Sequence, residues 1–106
     1  MVMRRGEVWW ADLPKPLGRR PVVLLSRDEA YDIRTAVTVA EITTKIRGIP
    51  VEVLLGKEDG LPKPCVANLD TITSIPKDLL KECVCMLNYE KVELINSAVK
   101  FALDLE

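Results

Sequence analysis

The sequence predicts a mainly β fold, a compact barrel followed by a C-terminal helix, in a single domain over residues 1–106. Six or seven short segments carry strand patterns, which favours a barrel in so small a chain. Only the last segment shows a long helical periodicity. A chain of 106 residues with 48% hydrophobic residues is just large enough to bury one core.

The strand segments are separated by turn signals. Alternation or an apolar run predicts strands at Glu7–Leu13, Val22–Ser26, Ala36–Thr43 and Pro50–Leu55, and two short strands around a bend at Val66–Asp70 and Thr71–Ile75. A short helix is predicted at Arg27–Ile33. Glycines and prolines between Gly56 and Pro64 indicate a loop.

The C-terminal segment has the signals of an amphipathic helix. Asn88 is a suitable N-cap, and Glu90 places an acid near the positive end of the helix dipole. One apolar stripe consists of Val92, Ile95, Val99, Ala102 and Leu103, and a second of Leu94, Ala98, Phe101 and Leu105. Two apolar faces need two surfaces to pack against, either a deep seat on the barrel or a homodimer contact.

The charge is polarised along the chain. The net charge is −1, but residues 1–50 hold nine Lys/Arg and six Asp/Glu, net +3, which leaves −4 for the remainder. One basic face is therefore compatible with an acidic total, since nucleic-acid binding depends on local charge. A mixed, solvated surface is the alternative.

Metal and membrane functions have little support. There is no histidine, and Cys65, Cys83 and Cys85 are too few for a zinc site without a carboxylate or a second chain. We expect reduced, packed thiols and neither metal nor cofactor. No apolar run approaches a bilayer span and the N-terminus lacks a signal h-region, so a soluble, cytoplasmic protein is expected.

Two segments place polar residues at strand ends: Gly18-Arg19-Arg20-Pro21-Val22-Val23-Leu24-Leu25-Ser26 and Ala40-Glu41-Ile42-Thr43-Thr44-Lys45. Pro21 disfavours helical angles at Arg20, so this arginine is held extended at the mouth of a strand, which suits phosphate binding. The chain resembles the MazF/PemK (Kid-like) ribonuclease toxins of bacterial toxin-antitoxin systems over residues 4–105. The resemblance is carried by these two segments together with the start Arg5 to Leu13, the segment Gly48 to Val53, the run Cys65 to Ile72 and the final helix. The resemblance implies an SH3-like β-barrel.

This resemblance implies an endoribonuclease that leaves a 2′,3′-cyclic phosphate without metal. Because the chain has no histidine, proton transfer and charge stabilisation must come from arginine, carboxylate and hydroxyl groups. Arg20 stands in the family's Arg-Pro segment, and its guanidinium suits the stabilisation of phosphorane charge better than proton donation, with protonation of the leaving group as a second role. Thr43 matches the family's active-site threonine, with Thr44 as a second hydroxyl. Asp70 matches an acidic position near the 2′-OH, as base or sugar contact. Each residue also has an ordinary structural explanation. Arg20 can be a surface arginine before a strand, Thr43 can reflect the strand propensity of threonine, and Asp70 can cap a bend.

The chain departs from the family pattern in two places. The loop Pro14 to Arg19 lacks the glutamate that many members carry, and Asn68 stands where some relatives have arginine. Four basic residues are candidates for flanking RNA phosphates, or are ordinary surface charges: Lys15, Arg19, Lys45 and Arg47. Trp9 and Trp10 point to opposite sides of their strand, so one is expected in the core while the other stacks on a base or covers an interface.

The resemblance also implies partners. Family members are dimers whose RNA groove spans the interface, and a cognate MazE-like antitoxin with an acidic and apolar C-terminal segment would mask Arg20. The RNA substrate class, mRNA or tRNA, stays open. Two other functions stay open as well: a CcdB-like gyrase poison that cleaves nothing, and a catalytically inactive module that binds RNA or antitoxin.

Overall fold

The computed structural model describes residues 2–106 as a six-stranded antiparallel sheet with a C-terminal helix. The strands are β1 (Glu7–Asp12), β2 (Arg19–Leu24), β3 (Ala36–Thr43), β4 (Glu52–Leu55), β5 (Cys65–Pro76) and β6 (Leu80–Met86), and the helices are α1 (Ala30–Ile33) and α2 (Tyr89–Ala102). Their order in the sheet is β4-β5-β3-β2-β1-β6. The predicted mainly β fold is confirmed, as a half-barrel with β4 and β6 at its edges.

Strand β6 lies outside the strand ranges that the sequence predicts, and β5 and β2 differ from their predicted ranges. The segments expected as separate strands at residues 66–70 and 71–75 form one 12-residue strand, β5. Its pairing with β3 continues past the expected bend, because three extra residues of β5 bulge opposite the step from Ala40 to Glu41. Strand β2 begins at Arg19, before the apolar run, since Arg19 and Arg20 pair with Asp12 and Ala11 of β1.

Both faces of the sheet are covered by apolar side chains. The helix-side core includes Val8, Val23, Ile42, Leu69 and Ile95. The opposite core includes Trp9, Leu24, Tyr31, Val37 and Val39. Side chains alternate between the two faces of a strand, so Arg20, Glu41 and Thr43 lie on the same face of the sheet as this second core. They extend that face beyond its apolar region.

Helix α2 begins as the sequence predicts. The Asn88 side-chain oxygen accepts a hydrogen bond from the Lys91 amide at 2.9 Å. The first stripe packs into the helix-side core except Leu103, which is exposed. Of the second stripe only Ala98 is buried, and the exposed members are Leu94, Phe101 and Leu105. An apolar face of α2 is therefore left uncovered in the single chain.

Other sequence expectations have mixed outcomes. Trp9 is buried and Trp10 is partly exposed, as their opposite directions predict. All three cysteines are free, but only Cys65 is buried; Cys83 is exposed on the edge strand β6, where packing is incomplete. No helix within residues 2–106 is long and apolar enough to span a bilayer.

Candidate active site

Arg20 is paired with a carboxylate on the neighbouring strand. Its Nη1 donates a hydrogen bond to Oε1 of Glu41, and its Nε donates to the carbonyl of Leu17 at 3.3 Å. The side chains of Arg20 and Glu41 keep 30% and 20% of their surface exposed. The guanidinium is thus oriented by two acceptors while part of its edge still faces solvent.

Glu41 borders a polar pocket of about 190 Å³ at the end of β3. The residues that line this polar pocket are Glu41, Thr43, Lys45, Arg47, Asn68 and Thr71. Thr43 accepts a hydrogen bond from the Lys45 amide at 3.2 Å, which fixes the hydroxyl oxygen and leaves its proton to donate elsewhere. The pocket combines a hydroxyl donor, one carboxylate and two cations.

The bulge in β5 decides which residues face this pocket. Oδ1 of Asn68 accepts a hydrogen bond from the Asp70 amide at 2.9 Å, and the Thr71 hydroxyl donates to the Asn68 carbonyl at 2.9 Å. This arrangement brings Thr71 into the lining, whereas Asp70 is exposed and is not among the lining residues. The structure thus brings Thr43 near the Arg20–Glu41 pair but does not bring Asp70 into the pocket.

Thr43 also lines a second, apolar pocket of about 90 Å³. Its other lining residues are Trp10, Pro21, Ile42, Thr44, Leu61, Pro62, Lys63 and Cys65. Thr44 therefore faces this apolar pocket and not the polar one. A partly exposed indole beside a fixed hydroxyl is a surface on which a nucleobase can stack.

The four basic candidates separate into two pairs. Lys45 and Arg47 line the polar pocket, and the chain there is held by Glu52, whose carboxylate accepts hydrogen bonds from the amides of Arg47 and Gly48. Arg19 lies with its guanidinium carbon 5.2 Å from the Trp10 ring centroid and pairs with Asp12 at 3.4 Å. Lys15 is exposed in the loop between β1 and β2.

The cysteines are poor nucleophiles in this structure. Burial raises the pKa of the Cys65 thiol beside the apolar pocket, and the carboxylates of Asp59 and Glu58 raise it further. Partial desolvation, with the nearby carboxylate of Glu7, raises the pKa of the more exposed Cys83, and burial raises that of Cys85 to about 11. Thiolates are therefore scarce near neutral pH. Residues 2–106 also contain no cluster of three or more His, Cys, Asp or Glu side chains arranged to hold a metal ion.

Sequence reasoning missed Glu41, although a signal was present. In β3 the buried Val37 and Val39 alternate with Thr38, so the Glu41 side chain is expected on the same buried face as the two valines. A carboxylate at such a position needs a partner, because burying an unpaired charge is costly. Arg20, at the start of the adjacent strand, provides that partner.

These groups match the requirements of phosphodiester transesterification. The reaction needs a proton acceptor for the nucleophilic hydroxyl and donors for the charge that develops on phosphorus. A guanidinium offers a planar fork for two phosphate oxygens, and a hydroxyl offers one more donor. Arg20, Glu41 and Thr43 offer groups of these kinds on two neighbouring strands of the sheet.

The chain is similar to known proteins over most of its length. The chain is 39% identical over 101 residues to the probable endoribonuclease MazF5 of Mycobacterium tuberculosis, covering 94% of this chain and 92% of that protein. It superposes on the M. tuberculosis toxin MazF-mt6 with a TM-score of 0.87 and 32% identity, covering 94% and 98% of the two chains. A mycobacterial endoribonuclease in complex with its cognate antitoxin gives a TM-score of 0.87 at 30% identity, with 98% and 97% covered.

The family match extends over nearly the whole chain. The profile of the PemK-like, MazF-like toxins of type II toxin-antitoxin systems matches residues 4–103. The matched region contains all six strands, the bulge of β5 and the whole of helix α2. The chain belongs to the PemK-like, MazF-like toxin family of type II toxin-antitoxin systems.

Proposed function

We propose that this chain is a metal-independent endoribonuclease toxin that cleaves single-stranded RNA and leaves a 2′,3′-cyclic phosphate. The observation that carries the proposal is the guanidinium of Arg20, oriented by Glu41, which lines one polar pocket together with Thr43 and two further cations. In this reaction the adjacent 2′-OH of the RNA is the nucleophile, so the enzyme need not supply one. Endoribonucleases among its relatives support the same class of reaction.

Arg20 and Thr43 stabilise the transition state in this proposal. The guanidinium stays protonated and holds the charge that develops on the non-bridging oxygens. The Thr43 proton is donated to one of the same oxygens. Asp70, exposed beside the polar pocket at the bulge, is proposed to contact the ribose of a neighbouring nucleotide. Thr44 and Trp10 border the apolar pocket and are proposed to contact a base there.

The first test is cleavage of a mixed RNA preparation by the purified chain in EDTA. We expect cleavage at discrete sites with 2′,3′-cyclic phosphate ends, because arginine and hydroxyl donors offset the charge without a metal ion. A heat-denatured sample is the control for contaminating nuclease. Cleavage that appears only with added Mg²⁺ contradicts the mechanism. A folded chain that leaves all RNA intact favours the gyrase-binding or inactive alternatives.

The second test separates the two pairs of basic residues. We expect Lys45→Ala with Arg47→Ala to flatten the slope of log affinity against log salt by about 1.4, since each lost phosphate contact on single-stranded RNA removes about 0.7 from it. Lys15→Ala with Arg19→Ala should flatten it less, because Arg19 is already engaged by Asp12 and Trp10. Affinity is measured on an oligonucleotide protected from cleavage by deoxyribose.

Phosphate contacts carry little base information, so both double variants should keep the wild-type cleavage motif. The motif is read by sequencing the ends of the cleaved RNA. An unchanged salt slope for Lys45→Ala with Arg47→Ala would contradict phosphate binding in the polar pocket. A changed motif would mean that these side chains read bases.

The proposal includes a homodimer and a cognate antitoxin in the cytoplasm. The uncovered apolar face of α2, with Leu94, Phe101 and Leu105, supports burial against a second surface. A relative at 30% identity is described with its cognate antitoxin. For this chain, an acidic and apolar antitoxin segment would fold across the groove, compete with RNA for Arg20 and so block cleavage.

A further inference from the structure

Glu41 combines two properties that a structural ion-pair partner does not need. Among residues 2–106 it accepts a hydrogen bond through Oε1 only, from Arg20. No buried side-chain oxygen or nitrogen in that range lacks a partner, so Oε2 must keep contact with solvent. Its side chain also lines both the polar pocket and the neighbouring cavity of about 270 Å³ along β2 and β5.

We propose that Glu41 is the general base of the reaction, an inference that rests on the proposed endoribonuclease function. Oε2 takes the proton from the 2′-OH while the 2′-oxygen forms its bond to phosphorus. The bond from phosphorus to the 5′-oxygen breaks, and the leaving oxygen takes a proton from water. Glu41 then returns its proton to solvent, so the enzyme is unchanged after each turnover.

The choice among carboxylates follows from their positions. Glu41 is the one carboxylate among the residues described as lining the polar pocket. Glu52, nearby on β4, is occupied by the amides of Arg47 and Gly48 at 3.0 and 2.8 Å. Asp70 lies outside that lining. Glu41 is therefore the carboxylate that a phosphate bound at Arg20 and Thr43 would meet.

In this arrangement Arg20 both orients the Glu41 carboxylate and binds the phosphate. Its hydrogen bond to Oε1 restrains the carboxylate and leaves Oε2 available as the proton acceptor. The exposed part of the guanidinium remains for the phosphate. One arginine thus brings the base and the reacting phosphorus together.

The test compares Glu41→Gln with the wild-type chain over weakly acidic to neutral pH. Gln keeps an oxygen that accepts the Arg20 hydrogen bond but cannot take a proton at these pH values. We expect kcat/KM to fall about 100-fold or more, the usual contribution of a general base. The acidic limb of the wild-type rate profile, where the carboxylate becomes protonated, should be absent from the variant.

Two controls show that the loss is chemical. Glu90→Gln makes the same change in the exposed first turn of α2 and should keep the wild-type rate and profile. Binding of Glu41→Gln to an oligonucleotide with deoxyribose at the cut site should be as tight as the wild type or tighter, because a negative charge is removed from the groove.

Three outcomes overturn the inference. Glu41→Gln at the wild-type rate removes Glu41 from the reaction, and a slow variant that keeps the acidic limb makes it a positioning residue for Arg20. Loss of the limb in Asp70→Asn instead assigns the base to Asp70. A wild-type chain that cleaves no RNA overturns the proposed function and this role together, which distinguishes that failure from the other three.

Discussion

Arg20→Ala is expected to lower the rate of RNA cleavage 100- to 1000-fold while the chain stays folded. The size of the loss follows from removing a preorganised donor that acts on the charge of the transition state. The fold should persist because the side chain is 30% exposed and its pair with Glu41 contributes only on the order of 1 kcal/mol. Single-turnover cleavage of a labelled oligonucleotide measures the rate, and circular dichroism checks the fold.

Two further variants sharpen this test. Arg20→Lys keeps the charge but loses the planar fork, so its rate should lie between those of the wild type and Arg20→Ala. Arg34→Ala, at an exposed arginine after α1, is the control for loss of one positive charge and should cleave normally. A folded Arg20→Ala chain that cleaves RNA at the wild-type rate would refute the assignment of the site.

The strands of the sheet were mostly predictable because their signals are local. Alternation in Ala36–Thr43 gave β3 with its observed bounds, and the apolar run after Pro21 gave the buried part of β2. Pro21 also explains the extended backbone at Arg20. These features depend on neighbouring residues in the sequence, so they can be predicted from one sequence without comparison to related proteins.

The composition of the site was less predictable because it depends on contacts between distant segments. Glu41 meets Arg20 only through the pairing of β2 with β3. Asp70 was expected in the site from its alignment with a family position, but the bulge fixed by Asn68 puts Thr71 into the polar pocket lining. A bulge changes which side chains face a pocket, and strand periodicity does not reveal it.

The polar pocket also suggests why this chain can use a strand carboxylate. The loop between β1 and β2 contains no acidic residue between Asp12 and Arg20. A base for the reaction must then come from elsewhere near Arg20, and β3 is the strand that pairs with β2 beside it. The basic character of the loop and the position of Glu41 are thus two parts of one arrangement in the proposed mechanism.

Deoxyribose at the mapped cut site is expected to abolish cleavage completely, the largest effect predicted for this protein. The nucleophile in the proposed mechanism is the 2′-OH of the substrate, and deoxyribose removes it without altering the base or the phosphate. An oligonucleotide with one deoxyribose two or more nucleotides away is the matched control and should be cleaved. Cleavage products are separated on a denaturing gel.

The oligonucleotide with deoxyribose at the cut site should still bind to the protein, so a loss of cleavage can be assigned to the chemical step. The deoxy oligonucleotide keeps every phosphate that Arg20, Lys45 and Arg47 are proposed to contact, so its affinity should be close to that of RNA. It should therefore inhibit cleavage of an all-ribose substrate by competition. Cleavage of the deoxy oligonucleotide at the mapped position would mean that water is the nucleophile, and the roles proposed for Arg20 and Glu41 would have to be assigned again for hydrolysis.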